Sequence, residues 1–92
     1  MTDTSQILTL ENNDEALLLF GSRDQFLRMI RDALEVRLIA RGETIQIDGS
    51  EERVSQAERV FTQLREMLRR QGKLSAEDVR TVLDIVLHPM SF

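Results

Sequence analysis

The chain has 92 residues, 29 of them Leu, Ile, Val or Phe, which is enough apolar content for one small folded domain and too little chain for two catalytic ones. It contains no Cys, Trp or Tyr and one His, His88, so disulfides, thiolate metal sites, cysteine nucleophiles and a His-based triad are all excluded. The formal charge is -4, yet the acids gather at the ends, while Phe20 to Arg41 carries five Arg against three acids. No apolar run reaches the roughly 18 to 20 residues of a membrane span, and Met1 to Gln6 lacks the basic start of a secretory signal, so a cytoplasmic protein with no membrane partner is expected.

Gln6 to Glu11 alternates Leu8 and Leu10 with Gln6 and Thr9, the period of a half-buried strand. Asn12, Asn13 and Asp14 are turn and N-cap residues ahead of a short Leu-rich helix, Glu15 to Phe20, which Gly21 stops. Ser22 stands three residues before Gln25 at capping-box spacing, which predicts a helix over Arg23 to Leu34 with Phe26, Met29, Ile30, Ala33 and Leu34 on its buried face. Val36 to Arg41 and Thr44 to Asp48 both alternate, and Gly42-Glu43 between them fits a type II′ turn, so the two should be antiparallel neighbours.

Gly49-Ser50 ends the sheet and opens a long helix, Glu51 to Arg70, with Val54, Ala57, Phe61, Leu64 and Leu68 inward, Arg69, Arg70 and Lys73 at its C-terminal end and Gly72 as its stop. Ser75 with Asp78 caps a last helix through Val86, which Pro89 breaks. Four apolar residues, Ile7, Ile39, Val60 and Met67, fall off the predicted core stripes, and Val79, Val82, Leu83 and Val86 form a face needing cover. The fold class is α+β: a two-layer sandwich of a three-stranded antiparallel sheet with helices on one face, plus an extra C-terminal helix.

Catalytic parts are missing. The only Gly-Lys pair is Gly72-Lys73, with Met67 where a phosphate loop needs its first glycine and Leu74 where it needs a hydroxyl. The carboxylate pairs Asp14-Glu15, Glu51-Glu52 and Glu77-Asp78 all fall in first helical turns, where the helix dipole favours negative charge. His88 sits at a helix C-terminus, an ordinary place for a cation. The chain is therefore expected to be no enzyme and to need no metal and no cofactor.

The informative segment is the turn Gly21-Ser22-Arg23-Asp24, because a glycine-headed turn leading into a helix exposes the free first amides to an anion such as phosphate. Here the sequence resembles a KH domain, whose GXXG loop clamps backbone nucleotides. More widely, FGSRDQFLRMIRDALEVRLIARGETIQIDGSEERVSQAERVF, with its IARG-x-x-I-x-I-x-G hairpin and A-x-x-V helix, resembles the N-terminal KH-like region of the PhoH family, the phosphate-starvation-inducible P-loop ATPases of bacteria. GKLSAEDVRTVLDIV is similar to the helix that leads towards the ATPase domain in that family.

The resemblance implies a KH-like domain of type I order, β-α-α-β-β-α, over 6–72, and a helix over 74–88 leading towards an ATPase domain that would bind ATP and Mg. Leu87 to Phe92 does not resemble the continuation, so a truncated fragment is expected. It further implies single-stranded RNA as a ligand, contacted by Gly21, Ser22, Arg23, Asp24, Arg31, Arg37, Ile39 and Arg41.

Asp24 departs from the pattern, since it puts a carboxylate where the fourth loop glycine belongs. Two like charges about 4 Å apart repel by about 1 kcal/mol in water, so RNA binding should be weak. The arginines also admit a plain reading: Arg28 is four residues from both Asp24 and Asp32, so local ion pairs on a solvated helix face can account for it. The alternative function is a protein-interaction or homo-oligomerisation module that docks on a PhoH-type ATPase domain without binding RNA.

Overall fold

Apolar alternation in three segments and apolar three-and-four spacing in four others build a sheet with one helical side. The computed structural model describes residues 3–88: β1 (Asp3–Thr9), α1 (Asn13–Phe20), α2 (Gln25–Leu34), β2 (Arg37–Arg41), β3 (Thr44–Ser50), α3 (Glu51–Gln71) and α4 (Ala76–Leu87). The predicted break at Pro89 lies outside these residues. No helix among them is long and apolar enough to cross a membrane.

The strands run in the order β1-β3-β2, antiparallel throughout. β3 is central and fixes both registers, with Ile7 and Ile39 each opposite Gln46. β1 begins three residues earlier than the alternation suggests because β3 continues through Gly49 and Ser50, which pair with Thr4 and Asp3. The β2–β3 link is the expected two-residue turn: Arg41 faces Thr44 across it, and Gly42 takes the positive φ of 57° that the first position of a type II′ turn needs.

One sheet face enters the core through Ile45 and Ile47, both fully buried, with Leu8 and Leu38 packed beside them. α3 lies across this face, touching β1 and β3 on one side and α1, α2 and α4 elsewhere. That encirclement explains why Val60 is fully buried and Met67 packs on the core, although both lie off the single stripe that the periodicity selects. The α4 face of Val79, Val82, Leu83 and Val86 needs no outside cover, because α2 and α3 bury it. On α2 the buried residues are Phe26, Leu27, Ile30 and Leu34, while Ala33 is exposed, so the stripe is rotated towards Leu27.

Three helix starts match the sequence. Asn12 Oδ1 accepts the Glu15 N–H at 2.8 Å, Ser50 Oγ accepts the Arg53 N–H at 3.3 Å, and Ser75 and Asp78 form a reciprocal capping box. Ser22 and Gln25 form none. Instead Ser22–Asp24 makes a separate 3-10 turn in which Arg23 (φ 54°) and Asp24 (φ 58°) are both left-handed, so α2 starts at Gln25 with no side-chain cap.

Gly21 holds this turn. Its φ of 80° and ψ of 176° lie in a region essentially reserved for glycine. A Cβ there would stand 2.7 Å from Phe26 Cδ2, so the ring also occupies the space a side chain would need. Gly21→Ala is therefore expected to destabilise the domain by at least about 2 kcal/mol, combining backbone strain and overpacking, and urea unfolding checks this. An unchanged midpoint would contradict the assigned ring contact.

The α4 cap gives an acid-side prediction. The Ser75 N–H, donating to Asp78 at 3.1 Å, holds that carboxyl below its ordinary value near 3.8, with the Gln71 and Ser75 side chains adding to the effect against partial desolvation. A lowered folded pKa gives stability that is complete above the unfolded value and lost as pH falls through the folded one. Asp78→Ala should lower the unfolding midpoint at pH 7 and make stability less dependent on pH below about 4, as read by urea titrations at pH 7 and pH 3.

Candidate nucleic-acid interface

Where α2 passes β2, the two elements leave a groove closed at one end by the 3-10 turn. It has a volume of about 300 Å³ and is lined by Arg23, Asp24, Leu27, Arg28, Arg31, Leu38 and Ala40. Helical spacing puts Leu27, Arg28 and Arg31 on one side of α2, and strand alternation brings Leu38 and Ala40 to the same side of β2. The result is an aliphatic floor beneath three guanidinium groups and one carboxylate.

The local pairs expected for Arg28 do not form. Asp32 accepts from Arg31 Nε at 3.0 Å instead, and Asp24 lies in the left-handed turn, outside the helical spacing that a four-residue pair needs. Among the described residues no ion pair engages Arg23 or Arg28. The positive end of the α2 dipole points at the same turn, with no side-chain cap to answer it. Groove charge is thus net positive, with Asp24 as its internal anion.

Main-chain groups complete the rim. The Leu10 N–H donates to the Glu43 carbonyl at 2.7 Å, continuing the β1–β3 ladder and setting its phase. By alternation, Arg37, Ile39 and Arg41 turn their N–H and C=O groups to β3, and Leu38 and Ala40 turn theirs outward at the free edge of β2. Those donors and acceptors border the groove that the Leu38 and Ala40 side chains line.

The residues singled out from the sequence therefore divide three ways. Arg23, Asp24 and Arg31 meet in the groove. Gly21 and Ser22 border a second hollow of about 350 Å³ on the other side of the turn, with Leu17, Leu18 and Phe26 among its walls. Arg37, Ile39 and Arg41 lie on the outer sheet face, in register with Asp48, Gln46 and Thr44. There Asp48 accepts hydrogen bonds from Ser5 at 2.6 Å and Gln46 at 3.1 Å, and these, with the nearby Arg37 charge, hold its carboxyl below the ordinary range.

Leu27, Arg28, Leu38 and Ala40 belong to the groove and were not anticipated as site residues. The signal was present in the i, i+1, i+4 spacing of Leu27, Arg28 and Arg31, but it is legible only once the buried stripe of α2 is known to extend as far as Leu27. Among the described residues no group of three or more His, Asp or Glu side chains is placed to hold a metal ion.

No family model and no solved structure matches the chain. A PhoH-like protein of Bacillus subtilis (strain 168) is 40% identical to it over 70 residues, which is 76% of this chain and 22% of that protein. The match thus spans about a fifth of the relative's length and three quarters of the chain's own. On that identity the chain belongs to the PhoH-like family.

Proposed function

We propose that the chain is a non-catalytic, KH-like module that binds single-stranded RNA weakly in the groove between α2 and β2. The observation that carries this reading is the convergence of Arg23, Arg28 and Arg31 over the floor of Leu27, Leu38 and Ala40. Guanidinium groups pair with phosphate oxygens, an aliphatic floor accepts a base face, and the free main-chain groups of Leu38 and Ala40 offer hydrogen bonds to base edges. The element order β-α-α-β-β-α and the sheet order β1-β3-β2 support the KH-like assignment. With no aromatic side chain among the described residues that line the groove, stacking contributes little, and Asp24 repels the phosphate nearest the turn. A PhoH-type ATPase domain, with its ATP and Mg, is the protein partner the family relationship suggests.

The test is a titration with a short single-stranded RNA at low and moderate salt, followed by amide NMR. Shifts should cluster on Arg23, Leu27, Arg28, Arg31, Leu38 and Ala40 and weaken with salt, with a log–log slope of about -1.4 to -2 for two or three neutralised phosphates. Arg28→Glu should abolish them. Asp24→Gly should raise affinity roughly fivefold by removing about 1 kcal/mol of repulsion. Shifts confined to Arg37 and Arg41, or absent at both salt concentrations, would overturn the assignment.

A protein-docking role is the second reading, favoured by one observation: Leu17 is 62% exposed and Leu18 46% exposed beside the hollow that Phe26 and Leu74 help to wall. In that case a separately expressed PhoH-type ATPase domain should bind the chain and lose at least tenfold in affinity on Leu17→Asp. Isothermal titration distinguishes the two readings, because Leu17 lies outside the groove and its replacement should leave RNA shifts unaltered.

A further inference from the structure

Among the described residues the sheet has two free edges, and their chemistry differs. β2 carries Arg37 and Arg41 and borders the arginine groove, the kind of charged edge that discourages pairing with another chain. β1, with sequence DTSQILT, has Asp3 as its only charge, no proline, and no lysine or arginine. It is an unguarded edge.

Its hydrogen-bonding groups are placed to pair. The phase set by Leu10 and Glu43 directs the N–H and C=O groups of Thr4, Gln6 and Leu8 to β3. Those of Asp3, Ser5, Ile7 and Thr9 therefore point away from the sheet. The approach is open on both faces: Ile7 on the outer face is 62% exposed, and Gln6, which faces the helical side, is exposed as well. β1 packs on β3 and α3, and its outward groups need either water or another extended chain.

We propose that this edge pairs with β1 of a second copy of the chain, antiparallel about a twofold axis beside Gln6, to make a continuous six-stranded sheet. In that register the strands overlap over all seven residues, with Asp3 opposite Thr9 and Ser5 opposite Ile7 of the second copy. All four outward-facing residues of each strand then become hydrogen-bonded pairs, giving about eight main-chain hydrogen bonds. The two Asp3 carboxylates stand at opposite ends of the ladder, so no like charges face each other. The two Ile7 side chains become diagonal neighbours on the outer face, within reach of contact at about 7 to 8 Å, and cover one another. The register is self-complementary, as a twofold contact requires.

A pairing limited to seven-residue strands buries less than the roughly 1,200 Å² of a stable interface, so the dimer should be weak and in exchange with monomer. Sedimentation of the full chain from about 10 µM to 1 mM should show a rising dimer fraction, with dissociation in the micromolar to millimolar range. Hydrogen exchange should slow with concentration at the Ser5, Ile7 and Thr9 amides, whereas Thr4, Gln6 and Leu8 are protected throughout. Ile7→Lys, at an exposed position that the core does not use, should weaken association at least tenfold while leaving the circular-dichroism spectrum unchanged. A monomer at 1 mM would overturn the proposal. So would a dimer that Ile7→Lys leaves intact and that does not protect the Ser5, Ile7 and Thr9 amides. The opposite edge of the sheet borders the RNA groove, so failure of either proposal leaves the other standing.

Discussion

The packing of the Phe26 ring against the bare α-carbon of Gly21 sets the geometry on which the rest of the candidate site depends. With ring atoms where a Cβ would be 2.7 Å away, α1 and α2 are joined at a fixed angle and the chain must cross between them in conformations that ordinary residues avoid. Gly21 takes the glycine-only region, and Arg23 and Asp24 follow in left-handed geometry. The turn then delivers α2 with its first amides uncapped and its Leu27–Arg31 side along β2. Thus the first glycine of the turn is required by packing inside the protein, and its presence alone says nothing about a ligand.

The central strand distributes function across the sheet. β3 is paired on both sides, so its main chain is satisfied, and its Ile45 and Ile47 anchor the helical layer. The unpaired groups are pushed to the two outer strands, where the same ladder phase gives opposite outcomes. On β2 the free groups belong to Leu38 and Ala40, residues that face the helical side, so they open beside the arginine groove. On β1 they belong to residues of the outer face, with Ile7 among them, and no cationic side chain stands guard.

Much of this was legible in the sequence because it is local. The hairpin at Gly42-Glu43, the caps at Asn12, Ser50 and Ser75 and the stop at Gly72 each depend on residues within one turn of each other. What failed to read locally was decided from afar. The Ser22 cap lost to a turn shaped by Phe26, and Val60 and Met67 became core residues because α3 has neighbours on several sides. Spacing alone allows Arg28 local pairs with Asp24 and Asp32, but the left-handed Asp24 and the Arg31–Asp32 pair remove both partners. The split of Arg23 and Arg31 from Arg37 and Arg41 follows from the strand alternation of β2, which shows that they occupy different faces only once α2 is known to pack on the Leu38 side.

Asp24 joins the backbone and the electrostatic arguments. At φ 58° the position favours glycine, and Asp is among the few other residues that visit this region with any frequency. The turn therefore keeps its shape without a second glycine. A carboxylate at this place lies near the positive end of α2 and among three guanidinium groups, so it answers part of the field that would otherwise draw a phosphate. One such contact is worth about 1 kcal/mol near water, comparable to a single phosphate contact, whereas Arg28 has no ion pair among the described residues and Arg31 shares its charge only with the exposed Asp32. A ligand that carries several phosphates along the groove still gains from Arg28 and Arg31. A lone phosphate at the turn gains little, so under the proposed function the extended backbone of a nucleic-acid strand, rather than an isolated anion, is what this groove can hold.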